Sequence, residues 1–228
     1  DRGRSFKGCV RRGRDCYRRR RRIREGGPYA DVKLMAYLSG LVVRVTDQGR
    51  LVADMESFGS DMFREAGATR VRVLQNVMGG EQAGEINIAC EWDSLDAAMR
   101  APGDLRAKQE MIDSMQGAGV QTIRRSLIVI DAERGTQEGE FASLLVASGD
   151  QIDPTTMDAN ADAFWAHMES GANGIMWGRG VAAGPLTGLY IALTAADSAD
   201  ELMASSAAMF ADPVIQQRMA EQNTQLVA

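Results

Sequence analysis

The chain is poor in the residues that build disulfide frameworks, metal centres and membrane spans. Its 228 residues include 3 cysteines and 1 histidine, which argues against a disulfide framework and against a cysteine–histidine zinc motif. The longest uncharged run, residues 180–196, is too short for a membrane span and contains glycine and proline. We therefore expect no membrane partner and no bound metal, and a reducing, cytoplasmic setting.

Positive charge is scarce outside the first 34 residues. Residues 1–34 carry 13 Lys and Arg against 4 Asp and Glu, whereas the other 194 residues carry 13 against 27. Because the body of the chain is acidic, nucleic acid is not an expected partner. The basic segment lacks hydrophobic periodicity and is predicted to be disordered and dispensable. It is either a basic arm for phosphate backbones or translated sequence upstream of Met35 that is not native, and we favour the second.

An internal repeat organises the remainder of the chain. Segment 67–94 recurs 104 residues later as segment 171–198, without a gap. The matching residues are Gly67, Ala68, Gly80, Gly84, Asp93 and Ser94 in the first copy and Gly171, Ala172, Gly184, Gly188, Asp197 and Ser198 in the second. The repeat predicts two domains, residues 35–131 and 141–228, joined by a charged, glycine-containing linker over 132–140.

Each copy alternates between the hydrophobic period of a strand and that of a helix. In the first copy, strands are predicted over residues 37–45, 70–78, 85–92 and 120–130, and helices begin near Leu51, at Ser94 and at Pro102. The glycine-rich segment 79–84 is interpreted as a turn, because a strand and not a helix follows it. The order β-α-β-β-α-β predicts an α+β fold of two tandem ferredoxin-like units. The second unit is expected to be truncated at its last strand.

These features resemble the dimeric α/β-barrel superfamily, which includes antibiotic-biosynthesis monooxygenase-like and stress-responsive barrel proteins. The resemblance is carried by the repeated element order, the Gly67-Ala68 pair, the turn ending at Gly84 and the helix break near Pro102. It implies that the two units pair within one chain as an intramolecular barrel, with their two sheets packed against each other. It also implies oxidation of aromatic substrates without metal or flavin, in a pocket between sheet and helices. No cofactor is therefore expected, and further homodimerisation stays open.

Five residues of the second copy combine aromatic surface with groups that hold an anion or move a proton. We predict His167, Arg179 and Tyr190 as catalytic residues, and Trp165 and Trp177 as substrate-binding residues. Trp177 and Arg179 share one face of a strand, and Tyr190 follows on the next strand. The alternative is a structural aromatic cluster with Arg179 at its rim and His167 facing solvent. Haem-binding relatives of the fold add a third role for His167, that of a haem ligand.

The predicted function is that of a cofactor-independent oxygenase- or isomerase-like protein that acts on or binds a small aromatic molecule. The alternative is a non-catalytic barrel with a structural or ligand-carrier role. Convergence of the three predicted catalytic residues favours the enzyme, and their dispersal favours the carrier. The first copy has Val73, Gln75 and Ile86 at the positions of Trp177, Arg179 and Tyr190, and is expected to act as scaffold.

Overall fold

The computed structural model describes residues 35–227, and the predictions for the basic segment 1–34 and for residue 228 lie outside the described residues. The strands are β1 (Ala36–Arg44), β2 (Ala68–Gln75), β3 (Ile86–Trp92), β4 (Gln121–Gly135), β5 (Phe141–Ser148), β6 (Gly174–Ala182), β7 (Tyr190–Ala196) and β8 (Gln225–Leu226). The helices are α1 (Gln48–Asp54), α2 (Ser60–Glu65), α3 (Leu95–Arg106), α4 (Gln109–Gly117), α5 (Pro154–Met168), α6 (Ala199–Ala211) and α7 (Pro213–Glu221). A π-helical turn, Met55–Gly59, lies between α1 and α2.

Helix starts follow the capping residues of the sequence. The side chains of Ser94 and Ser198 accept a hydrogen bond from the backbone N–H three residues on, at the starts of α3 and α6. In the second unit, Asp212 caps α7 and separates it from α6, as predicted. In the first unit the predicted break at Pro102 is wrong, because α3 runs through this residue and the break lies at Lys108. The residue before Pro102 is an alanine, which offers no side-chain oxygen to cap a new helix.

The strands form one antiparallel sheet in the order β2-β3-β1-β4-β6-β7-β5-β8. β4 joins the two units, because residues 121–130 pair with β1 and residues 127–135 pair with β6. The expectation of two separate sheets is therefore wrong, since the two units share a hydrogen-bonded edge. β4 is also longer than predicted and takes up the first residues of the expected linker, because β6 supplies hydrogen-bond partners for this segment.

The sheet curls so that its two halves face each other across a barrel interior. Leu38 of β1 packs in one apolar cluster with Ile191 and Leu193 of β7. Arg70 of β2 reaches Glu133 of β4 with an Nη1–Oε1 distance of 3.5 Å, although β3 and β1 lie between these strands in the sheet. The predicted pairing of two ferredoxin-like units within one chain is thus confirmed, through a shared edge and a shared interior.

The helices cover the outer face of the sheet and bury apolar side chains in each unit. In the first unit, helical residues such as Leu51 pack against Val43, Ile86 and Trp92 of the strands. In the second unit, the helices α5, α6 and α7 bury residues such as Met168. Between residues 35 and 227, no helix is both long enough and apolar enough to cross a membrane.

Candidate functional site

A cavity of about 120 Å³ lies in the second unit, between the sheet and the helices α5, α6 and α7. Two of the five predicted site residues, Trp177 and Tyr190, line it. Phe164 of α5 also lines it, with its ring centroid 6.3 Å from that of Trp177. Phe164, Trp177 and Tyr190 form an aromatic wall, but Arg179, His167 and Trp165 do not line this cavity.

The hydroxyl of Tyr190 is fully engaged by the backbone. It donates to the carbonyl oxygen of Asp150 at 2.8 Å and accepts from the N–H of Ile152 at 3.2 Å. Both partners lie in the connection between β5 and α5. Tyr190 therefore fixes this connection over the cavity, and its hydroxyl has no free proton for a ligand.

Arg179 is held in a bidentate ion pair. Its Nε and Nη2 atoms donate to the two carboxylate oxygens of Asp131, each at 2.8 Å. This hydrogen bonding raises the pKa of Arg179 above its ordinary value. Because Asp131 lies on β4 and Arg179 on β6, the pair joins the two units at their shared edge.

A larger cavity lies in the first unit, between β1, β3 and β4 on one side and the helices α1 to α4 on the other. Its volume of about 550 Å³ is in the range of small-molecule sites. The apolar wall is aromatic and rich in methionine, and includes Met55, Phe58, Phe63, Trp92, Met99 and Met111. Two of these residues come from the π-helical turn Met55–Gly59, a feature that is frequent at functional sites. The first copy was expected to be scaffold, but it encloses the larger of these two cavities.

The polar groups of this larger cavity fall into two classes. The indole Nε1 of Trp92 is engaged, because it donates to the hydroxyl of Ser39 at 2.8 Å. By contrast, Arg106 of α3 and Arg125 of β4 line the cavity, and their side chains make no hydrogen bond or ion pair to another described residue. The hydroxyl of Ser114, a buried residue of α4, also lacks a partner among residues 35–227. These three side chains therefore offer hydrogen-bond donors to a ligand.

Two predicted residues lie away from both cavities. The Nε2 atom of His167 is 3.7 Å from a carboxylate oxygen of Asp212, the residue that caps α7. A haem-ligand role does not fit this position, because the imidazole faces a carboxylate and lines neither cavity. Trp165 is partly buried in the apolar packing around α5. Arg179 and Tyr190 are direct cross-strand partners on β6 and β7, whereas His167 lies apart from them beside Asp212.

The sequence contains a signal for the cavity of the first unit that the predictions missed. At the offset of 104 residues, Trp92 matches Ala196, whereas Trp177 matches Val73. Each copy thus places one tryptophan on the helix-covered face of its sheet, at a different position. The counterparts of Trp177 and Arg179 do not include Trp92 of β3, or Arg125 of β4, which is separated from β3 by β1.

Cys90, which lines the cavity of the first unit, is not a nucleophile. Its side chain is 1% exposed, and burial raises the pKa of the thiol to about 12. In a variant with Cys9→Ser and Cys16→Ser, we expect no alkylation of Cys90 by iodoacetamide at pH 8, because the thiolate is scarce and covered. Mass spectrometry measures the adduct, and the same variant unfolded in urea should take up one equivalent. Alkylation of the native protein at the unfolded rate would contradict this assignment.

Comparisons with known proteins establish the fold. No family model matches the chain, and no curated protein matches it. A solved structure of a chlorite dismutase-like protein is 11% identical, covers 80% of this chain and 88% of its own, and has a TM-score of 0.50. The structure of a monooxygenase-like protein from Lactobacillus acidophilus is 7% identical in sequence and also has a TM-score of 0.50. The match covers 85% of this chain and 90% of the Lactobacillus chain. The chain has the ferredoxin-like α+β fold of these proteins.

Proposed function

We propose that the first unit binds a small aromatic molecule that carries an anionic group. The observation that carries this proposal is the cavity of about 550 Å³ with two unpaired guanidinium groups, those of Arg106 and Arg125, in its wall. An apolar interior with a few convergent polar groups is typical of a small-molecule site. Asp131 engages Arg179, the backbone of Asp150 engages the hydroxyl of Tyr190, and His167 lies apart from both, which supports a ligand-binding role over acid–base catalysis.

The interior of the cavity suits a flat apolar body. Trp92 is 2% exposed and its ring is fixed by the hydrogen bond to Ser39, so it offers a rigid aromatic surface. Met55, Met99 and Met111 lie on other parts of the wall. Methionine side chains adapt to irregular shapes and make favourable contacts with aromatic rings. The cavity therefore suits a family of related aromatic ligands rather than a single shape.

The arginines determine the charge of the ligand. Arg106 is the last residue of α3 and Arg125 lies on β4, so they approach the cavity from the helical and the sheet side. Guanidinium groups recognise carboxylates and phenolates through charge-assisted hydrogen bonds. No carboxylate lines the cavity among residues 35–227, so nothing in its wall competes for the two arginines. An aromatic acid or phenolate satisfies both the apolar wall and these cations.

The first experiment measures binding of 2-naphthoate by calorimetry. In Arg106→Gln and in Arg125→Gln, we expect the affinity to fall about tenfold, or about 1.4 kcal/mol, as for the loss of a charge-assisted hydrogen bond. Arg100→Gln is the matched control, because Arg100 also lies on α3 but pairs with Asp96 and does not line the cavity. Absence of binding to wild type, or equal affinity of all variants, would overturn the proposal.

A second candidate is a cofactor-independent oxygenase that uses the same cavity. Its specific support is the arginine pair, because a guanidinium beside a phenol lowers the pKa of that phenol, and phenolates are oxidised more readily than phenols. Within the described part of the chain, no Asp, Glu, His, Lys or Tyr lines the cavity, so the phenolic proton is lost to solvent. Oxygen uptake with 2-naphthol that disappears in the Arg106→Gln, Arg125→Gln double variant would support catalysis. If 2-naphthol binds without oxygen uptake, only the ligand-carrier role is supported.

A further inference from the structure

We infer that the second unit holds a separate site for a neutral aromatic molecule of one ring. The site is the cavity of about 120 Å³ bounded by Phe164, Trp177 and Ala192. A dry apolar cavity of roughly 150 Å³ is known to accommodate benzene. The cavity of the second unit is of this order, whereas that of the first unit is several times larger. This inference does not depend on the function proposed for the first unit.

The two cavities differ because the repeats have exchanged large and small residues. In the first unit, Val73 pairs with Ile88 across β2 and β3. The equivalent cross-strand pair in the second unit is Trp177 and Ala192, across β6 and β7. The tryptophan supplies an aromatic wall, and the alanine removes the branched side chain that fills the same place in the first unit. The resulting space is specific to the second unit.

The chemistry of the wall selects a neutral ligand. Among the polar residues that line the cavity, Tyr190 is engaged by the backbone of the β5–α5 connection. Asn160 is also engaged, because it donates to Gln222 at 2.9 Å and accepts from Arg218 at 3.1 Å. Asn160 keeps one amide hydrogen unused, but the exposed lining of the cavity is almost entirely apolar and offers little to solvate an ion. A charged ligand would lose its hydration without gaining a partner, which is costly.

The segment after α7 encloses the cavity. Gln222, Thr224 and Leu226 line it. Two hydrogen bonds tie this segment to Asp150: the Asp150 N–H donates to the carbonyl of Gln222 at 2.9 Å, and the Asn223 side chain donates to the Asp150 carboxylate at 2.7 Å. A neutral ring inside is therefore shielded from water on the side of this segment as well as by the sheet and helices.

The test uses fluorobenzene, followed by ¹⁹F NMR with the full chain. We expect saturable binding of one equivalent of fluorobenzene. In Ala192→Ile, which restores the isoleucine that the first unit has at the equivalent position 88, we expect at least a tenfold loss of affinity. Arg125→Gln is the control: it alters only the cavity of the first unit, so this variant should bind fluorobenzene with the affinity of wild type. Benzoate should not compete. Absence of saturation up to the solubility limit, or unchanged affinity in Ala192→Ile, would overturn the inference.

A second measurement locates the ligand in the unaltered protein, so that the test does not depend on the folding of Ala192→Ile. Magnetisation transfer from the protons of fluorobenzene should reach the indole of Trp177, which lines the cavity of the second unit. It should not reach the indole of Trp92, which lines the cavity of the first unit. The three tryptophan signals are assigned with Trp92→Phe and Trp165→Phe. Transfer to Trp92 alone would place the ligand in the first unit and would overturn the inference.

Discussion

Replacing Trp92 by alanine is expected to lower the free energy of unfolding by about 3 to 5 kcal/mol, the usual range for deleting a buried aromatic side chain. Trp92 is 2% exposed and belongs to the core cluster of the first unit. Its loss also removes the hydrogen bond from Nε1 to Ser39. Urea titration followed by far-ultraviolet circular dichroism measures the change without relying on tryptophan emission. The same variant should lose most of its affinity for 2-naphthoate.

Met99→Ala is the matched control for Trp92→Ala. Met99 lines the same cavity but is 67% exposed, so we expect a change of about 0.5 kcal/mol or less. A Trp92→Ala protein that unfolds within 1 kcal/mol of wild type, as surface variants do, would show that this tryptophan is not the packing centre of the first unit.

Replacing Glu91 by alanine is expected to cost about 3 to 5 kcal/mol, because it leaves the largely buried charge of Arg72 without its carboxylate. Glu91 Oε1 accepts from Nη1 of Arg70 at 2.9 Å and from Nη2 of Arg72 at 2.8 Å. Burial lowers the pKa of Arg72, and the Glu91 carboxylate opposes this shift. Glu133→Ala is the control: Glu133 also contacts Arg70, but its side chain is 38% exposed, so we expect about 1 kcal/mol or less.

The Glu91→Gln variant tests the protonation state of this carboxyl group. Burial raises the pKa of Glu91 above its ordinary value of 4.5, although the two arginines oppose this shift. Because the pKa is higher in the folded than in the unfolded chain, the stability linked to this proton is fully present below pH 4.5 and is lost as the pH rises through the folded-state pKa. Glutamine mimics the protonated carboxyl and keeps an acceptor for the arginines. We expect it to cost less than alanine and to remove the fall in stability that this proton causes above pH 4.5. If glutamine and alanine cost the same, the acceptor role assigned to Glu91 would be wrong.

The element order and the pairing of two similar units were predictable because they rest on local patterns. Strand and helix periods are written in consecutive residues, and the 104-residue repeat shows that the second half repeats the first. Cap residues such as Ser94 and Asp212 act on backbone groups within three residues, so their effect is local as well. The misplaced break at Pro102 arose where proline was taken to end a helix without a capping side chain before it. The cytoplasmic setting stays a prediction.

Side-chain partners were not predictable, because they depend on distances between residues far apart in sequence. Arg179 was taken as free for a ligand, but the extension of β4 brings Asp131 against it. His167 was grouped with the site because it lies beside Trp165 in sequence, but the fold directs it to Asp212. Tyr190 was grouped because it lies on the next strand, and it does lie opposite Arg179, but its hydroxyl is engaged by the backbone of Asp150. A polar side chain is available for chemistry only if packing leaves it without a partner, and that is settled by the whole fold.

The sequence by itself determined the repeated ferredoxin-like topology, since hydrophobic periods and turn residues act over a few positions. Only the tertiary structure decided that the two units share one sheet, because the pairing of β4 with β1 and with β6 joins strands distant in the chain. It also decided where space remains. Cavity volume is what is left after every side chain has packed, so the large cavity beside Trp92 and the small one beside Trp177 follow from the sum of all contacts rather than from any motif.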